Sequence, residues 1–217
     1  MKKRKIPHFL TDQEQQKLLE QFNTRYISSH RNKMIVKLIL DSGLRLSELI
    51  NLKWQDINLQ TGKLTVREGK GAKDRALWVN DNTLMQLREW KKRQVEEIGR
   101  VVLVFTTRKG TKLDSRAVRE SIYIYADKAG IQETITKHYH DQEGNRLDKT
   151  YEEKKVSPHT LRHTYATDML RAGEDIRTIQ KALGHSSITT TQIYTHIIDD
   201  ELENSCKNFR KKLNNDK

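Results

Sequence analysis

The chain has 217 residues, with 41 Lys and Arg against 29 Asp and Glu, a formal charge of +12 and a pI near 9.7. That length can bury one sizeable core, as one large domain or a domain with a small annex, and the charge suits a polyanion or, more blandly, a solvated basic surface. A single cysteine, Cys206, excludes an intramolecular disulfide, and no apolar run is long enough for a signal core or a membrane span, so the expected compartment is the reducing cytoplasm.

Residues 1–10 read as a basic tail or linker, MKKRK at its start being equally compatible with phosphate contact and with mere solubility. Thr11 with Glu14 three positions on is a capping box, predicting a helix over about 12–22 with Leu18, Leu19 and Phe22 inward. A more apolar helix is predicted over about 30–42, carrying Met34, Ile35, Leu38 and Ile39 and ended by Gly43. Arg45 follows between two leucines, where Ser47 is placed to cap a short helix bearing Leu49, Ile50 and Leu52. Glu48 is within pairing reach of Arg45, which reads as a structural ion pair or as part of a site.

From 56 to 79 the apolar period changes to two. Ile57 and Leu59, Leu64 and Val66, and residues 76–79 alternate around Thr61-Gly62 and EGKGAKD, predicting a small three-stranded antiparallel sheet with Lys70 at the second hairpin tip. A tip lysine is ordinarily just solvated. A helix over about 81–98 shows Leu84, Leu87, Trp90 and Val95. A buried strand or extended segment covers 101–105. A further helix over about 114–129 turns Val118, Ile122, Tyr125 and Ala126 inward and Arg116 and Arg119 outward. Residues 131–156 read as a polar hairpin or flexible insertion turning at Glu143-Gly144-Asn145. His138 and His140 share a strand face there, but lack a third ligand at metal spacing.

Ser157-Pro158 is a strong helix start, predicting a helix to about Arg171 with Leu161, Tyr165, Met169 and Leu170 inward. A shorter helix over about 174–183 ends at Gly184, so that His185 follows a helix C-terminus. Ser186 or Ser187 then caps a short helix carrying Tyr194. A last helix over about 199–213 aligns Leu202, Cys206, Phe209 and Leu213. The whole is an α+β chain, mainly helical.

His159 and Arg162 lie one turn apart near the start of a helix whose free N–H groups and dipole favour a phosphate. The guanidiniums of Arg45 and Arg162 match the oxygens of a pentacoordinate phosphorus without a metal. The nucleophile is then a side chain or water: no serine has an obvious base partner and Cys206 is on a core stripe, whereas Tyr194 can attack once a neighbour takes its proton, with Lys70 the natural acid for a departing alkoxide. His159 and His163 have the spacing of a zinc pair, but Thr160 stands where such a site needs glutamate, and His163 reads as a helix-packing side chain.

GLRLSEL at 43–49, GKGAKDR at 69–75, HTLRH at 159–163, LGH at 183–185 and the run ending in Tyr194 and His196 together resemble the tyrosine recombinases, the phage integrase family. The resemblance implies that family's catalytic-domain fold over 11–198 and cleavage and rejoining of double-stranded DNA at a specific recombination site. By position, it implies that Arg45 and Arg162 hold the scissile phosphate and that His159 assists phosphate binding and proton transfer. His185 would bond a non-bridging oxygen, Lys70 would protonate the departing 5′ oxygen, and Tyr194 would form a 3′-phosphotyrosyl link. Glu48 would support Arg45, with His163 also supporting. No cofactor or metal is expected.

Further expectations are a tetramer on DNA formed from solution monomers, association with the nucleoid, and a helix at 199–217 that packs in cis or is exchanged between protomers. The family commonly carries a separate DNA-clamping domain ahead of the catalytic one, whereas Arg45 lies close to the first residue. The sequence is then either a catalytic-domain-only member or a truncated one. A type IB topoisomerase-like strand cleaver and a non-catalytic DNA-binding protein are the alternative readings.

Overall fold

The C-terminal half of helix α2 (Ile27–Ser42) is apolar over most of its circumference, broken only by Lys37 and Asp41, and a segment of that kind must be covered on most sides. Met34, Ile35, Val36, Leu38, Ile39 and Leu40 are all buried. In the computed structural model, which describes residues 7–67, 74–140 and 146–184, the other helices are arranged around it. These are α1 (Asp12–Glu20), α3 (Leu46–Ile50), α4 (Asp81–Glu97), α5 (Ser115–Lys128), α6 (Pro158–Arg171) and α7 (Ile176–Leu183). Helix α2 packs on α1, α3, α4, α5 and α6, while α7 reaches the core through α6.

The local signals explain most element ends. The Thr11–Glu14 capping box starts α1, Ser157 with Pro158 starts α6, and Gly43 and Gly184 close α2 and α7 with φ near +62°. Helix α2 begins at Ile27, earlier than its apolar pattern suggests, with Tyr26 at the cap and no side-chain cap bond. Ser47 is not a cap. Helix α3 starts one residue after Arg45, which is its N-cap, and the Arg45 backbone N–H donates to Glu48 Oε2 at 2.7 Å.

The sheet is smaller than the alternation implies. Strands β1 (Lys63–Val66) and β2 (Arg75–Trp78) form an antiparallel pair, Leu64 opposite Leu77. The expected first strand is reduced to one bridge, Ile57 to Leu64. A 3₁₀ turn at Trp54–Asp56 precedes it, and the Asn58 carboxamide accepts the N–H groups of Gln60 and Thr61, curling the chain before a ladder can extend. Residues 101–105 are the extended alternative to a strand, making one bridge from Leu103 to Lys53. Trp78 at the end of β2 is 59 % exposed, in contrast to Trp90 at 0 %.

On α4 the inward row runs Leu84, Leu87, Trp90 and then Gln94. Val95 is turned out to solvent instead, since a step of four continues the stripe and a step of five leaves it. Gln94 is fully buried and fully employed, accepting from Trp54 Nε1 and donating to Val104 O. Leu10, the last residue of the stretch read as a tail, is fully buried, and its N–H donates to Thr164 Oγ1 at 2.9 Å, tying the start of α1 to α6.

A second antiparallel pair, β3 (Thr134–His140) and β4 (Arg146–Lys154), is the hairpin predicted for this stretch. Tyr139 and Tyr151 meet across it at a ring-centroid distance of 4.8 Å, and β4 is exposed along almost its whole length. Among the described residues no helix is long and apolar enough to cross a membrane.

Candidate active site

The site is assembled where α7 ends. The last carbonyls of a helix have no partner within it and carry the negative end of its dipole. Here each of three successive carbonyls receives a guanidinium from a different element. Ala182 O accepts from Arg75 Nε at 3.0 Å, Leu183 O from Arg162 Nη2, and Gly184 O from Arg45 Nη2 at 2.7 Å. These arginines come from β2, α6 and the α2–α3 junction, so the end of α7 fixes three segments far apart in sequence.

Arg162 is buried, and its other terminal nitrogen donates to Gly43 O. That carbonyl is available because Gly43 takes the left-handed conformation that turns the chain from α2 into α3. A Cβ there would lie 2.3 Å from Tyr165 Cδ1 and 3.0 Å from Leu183 Cδ2. Gly43 therefore brings Arg45 and Arg162 to the same corner. The Tyr165 ring on α6 is largely desolvated, which raises its phenol above the usual value.

Arg45 and Arg75 share Glu48. Arg45 Nη1 meets Oε1 at 2.8 Å, and Arg75 reaches both oxygens, Nη1 to Oε1 at 3.0 Å and Nη2 to Oε2 at 2.8 Å. Burial acts to raise the Glu48 carboxyl, but the bonds and charge of Arg75, with the Arg45 backbone and side chain, outweigh it and hold the carboxyl below its ordinary value. The open ion pair at Arg45–Glu48 is thus half of a triad, and its other half, Arg75, was not singled out from the sequence. A signal for it exists. Arg75 is two residues before the buried Leu77 on β2, and a charged residue on the core side of a strand needs a partner.

His159 lies in the first turn of α6, facing solvent, whereas Arg162 one turn on is buried. Partial desolvation of the ring, then the charges of Arg162, Arg119 and Arg45, lower its pKa below 6.5, so the neutral imidazole dominates near pH 7. Arg119 on the outward face of α5 is thereby placed within electrostatic reach of the site. His163 is half-buried rather than a core side chain. Beside Arg45 and Glu48 a cleft of about 660 Å³ opens, rimmed by Ser47, Asn51, Lys53 and Arg67. Arg67 is held by Asp56 at 2.8 Å.

Of the residues predicted for the site, Arg45, Glu48, Arg162 and His159 are brought to one corner. Lys70, His185 and Tyr194, with His196 and the 199–213 stripe, lie outside the described residues. His138 sits on the β3–β4 hairpin bonded to Leu147 O, and among the described residues no group of His, Cys, Asp and Glu could hold a metal ion.

A mainly helical domain with two small antiparallel strand pairs has the fold of the tyrosine recombinase catalytic domain. The sequence profile of the phage integrase family matches residues 8–201, and the chain belongs to that family. It is 37% identical over 198 residues to tyrosine recombinase XerA of Pyrococcus furiosus, covering 91% of this chain and 60% of that protein. The crystal structure of XerA recombinase superposes with a TM-score of 0.74 at 33% identity, covering 95% of this chain and 66% of that one. XerH site-specific recombinase, bound to a palindromic difH substrate after cleavage, superposes at 0.71 and 28% identity, over 95% of this chain and 54% of that one. The chain thus spans about 60% of the length of the curated relatives it resembles, the Pyrococcus furiosus protein among them.

Proposed function

We propose that the protein is a site-specific DNA recombinase that cuts and rejoins strands through Tyr194. The observation that carries this reading is the convergence of Arg45 and Arg162 with His159 at the end of α7, in a chain whose family match runs past Tyr194. In this mechanism the Tyr194 oxygen attacks the scissile phosphorus and the bond to the 5′ oxygen breaks. Lys70 supplies the proton that the departing oxygen needs, and His159, kept neutral by its surroundings, accepts or relays the phenol proton. The guanidiniums, joined by His185, hold the charge that builds on the non-bridging oxygens. The phosphotyrosyl link keeps the phosphodiester energy for rejoining, so the scheme calls on no cofactor.

The DNA path follows the cleft rimmed by Lys53 and Arg67, with Arg119 adding positive charge near His159. We place the protein with the chromosome in the cytoplasm, as monomers that become a tetramer on paired sites, the helix at 199–217 packing in cis or exchanged between neighbours. The test is covalent capture. Wild type is incubated with nicked suicide duplexes carrying a randomised core, and protein-linked DNA is sequenced. A selected sequence enriched with wild type and absent with Tyr194→Phe is the expected result. No adduct, or an adduct that survives Tyr194→Phe, overturns the mechanism. Adducts without sequence preference, together with relaxation of supercoiled plasmid, would turn the reading to a topoisomerase-like cleaver.

A further inference from the structure

Arg75 has no place in the mechanism above, yet it is the most enclosed member of the Glu48 triad. Its side chain is 9% exposed, against 37% for Arg45, so it is Arg45 that faces the cleft while Arg75 faces the protein. Its five-donor fork is spent in two directions, on both oxygens of Glu48 and on Ala182 O. It is also five residues after Lys70 in the chain, and Ala182 is three residues before His185.

We propose that Arg75 is a positioning residue for strand cleavage, which locks Glu48 and the end of α7 together so that Arg45 keeps one register against the carbonyls that close α7. This rests on the recombinase reading. The physical argument is one of charge and geometry. Glu48 carries one negative charge and is met by two guanidiniums. With Arg75 present, the bidentate fork fixes both carboxylate oxygens, and Arg45 bonds the outer side of Oε1 while reaching Gly184 O. Without Arg75, Glu48 can rotate and be claimed wholly by Arg45, drawing that guanidinium inward and neutralising it. Ala182 O would lose its donor at the same time, loosening the helix end that Arg45 and Arg162 also hold. Lys cannot replace the fork, because one ammonium on a flexible stem does not span a carboxylate and a carbonyl with fixed geometry.

The experiment uses the full chain and the duplex selected by covalent capture with wild type. Arg75→Gln and Arg75→Lys are compared in single-turnover cleavage, corrected for folded protein, with DNA affinity measured separately. The cleavage rate constant is expected to fall by about tenfold or more, with DNA affinity within about threefold of wild type. In a Glu48→Gln background the further substitution of Arg75 is expected to lower the rate constant by a smaller factor than in wild type, because the charged half of its bridge is already gone and only the bond to Ala182 O is left to lose. Hydrogen exchange should quicken at 45–50 and 182–184 in Arg75→Lys and not in α4. An unchanged rate constant, a loss confined to DNA affinity, or unchanged exchange at those segments overturns the proposal. If wild type forms no adduct with any duplex, the recombinase reading fails instead, and hydrogen exchange still decides whether Arg75 holds the corner.

Discussion

The arginine corner and the β3–β4 hairpin are built from the same kinds of side chain and differ in their access to water. In the corner, Arg75 and Glu48 are 9% and 12% exposed and every guanidinium is also committed to a backbone carbonyl. On the hairpin, Lys137 and Glu153 pair at 41% and 46% exposure, and β4 buries almost nothing. A pair open to solvent gains about 0–1 kcal/mol, whereas removing one partner of a buried pair strands the other and costs about 3–5 kcal/mol. Charges in the corner therefore determine shape, and charges on the hairpin mainly decorate it.

That contrast can be broken most forcefully at Glu48. Glu48→Ala leaves Arg45 and Arg75 facing each other without their shared carboxylate and is expected to lower stability by about 3–5 kcal/mol, read from urea unfolding. Gly43→Ala comes next, at about 2–4 kcal/mol, because it combines a left-handed backbone with a collision against Tyr165. The same unfolding measurement checks it, and a cost below about 1 kcal/mol would mean that α6 gives way easily.

A smaller effect is expected from pH. His8, His30 and His159 each titrate below 6.5 in the folded chain, chiefly through burial. Between those lowered values and 6.5 the unfolded chain holds the extra protons, so stability rises with pH across this window and is lost as pH falls through it. Asp168, raised by burial, acts in the opposite sense from its ordinary 3.8 upward. Melting temperatures at pH 5, 6 and 7 should increase in that order, and His159→Gln should flatten the rise. Last, Lys137→Ala on the hairpin is expected to move stability by no more than about 0.5 kcal/mol. A larger loss would mean that the hairpin shares the core's energetics.

What could be read from the sequence divides along the same line of local against distant causes. Thr11 with Glu14 and Ser157 with Pro158 are complete signals within a few residues, and both helices begin where those signals put them. Ile57 and Leu59 alternate like a strand, but Asn58 between them bonds its own downstream backbone, and alternation alone cannot weigh that competition. Gln94 replaced Val95 in the core because helical phase counted for more than hydrophobicity once Trp54 and Val104 supplied partners. Arg45 and Arg162 were legible as candidate phosphate-binding arginines at motif positions, and Glu48 as a partner for Arg45. Their use of the α7 carbonyls was not, because it depends on where three distant segments end.

The three tryptophans report on separate parts of this architecture. Trp90 is sealed in the core, Trp54 is half-covered and bonded to Gln94, and Trp78 stands in solvent three residues after Arg75, with Lys63 Nζ 6.0 Å from its ring. Iodide should therefore quench Trp78 fluorescence and leave Trp90 emission untouched. The difference between wild type and Trp78→Phe isolates an optical signal at the strand that carries Arg75. A change in that signal when DNA is added would time events at this strand without any attached dye.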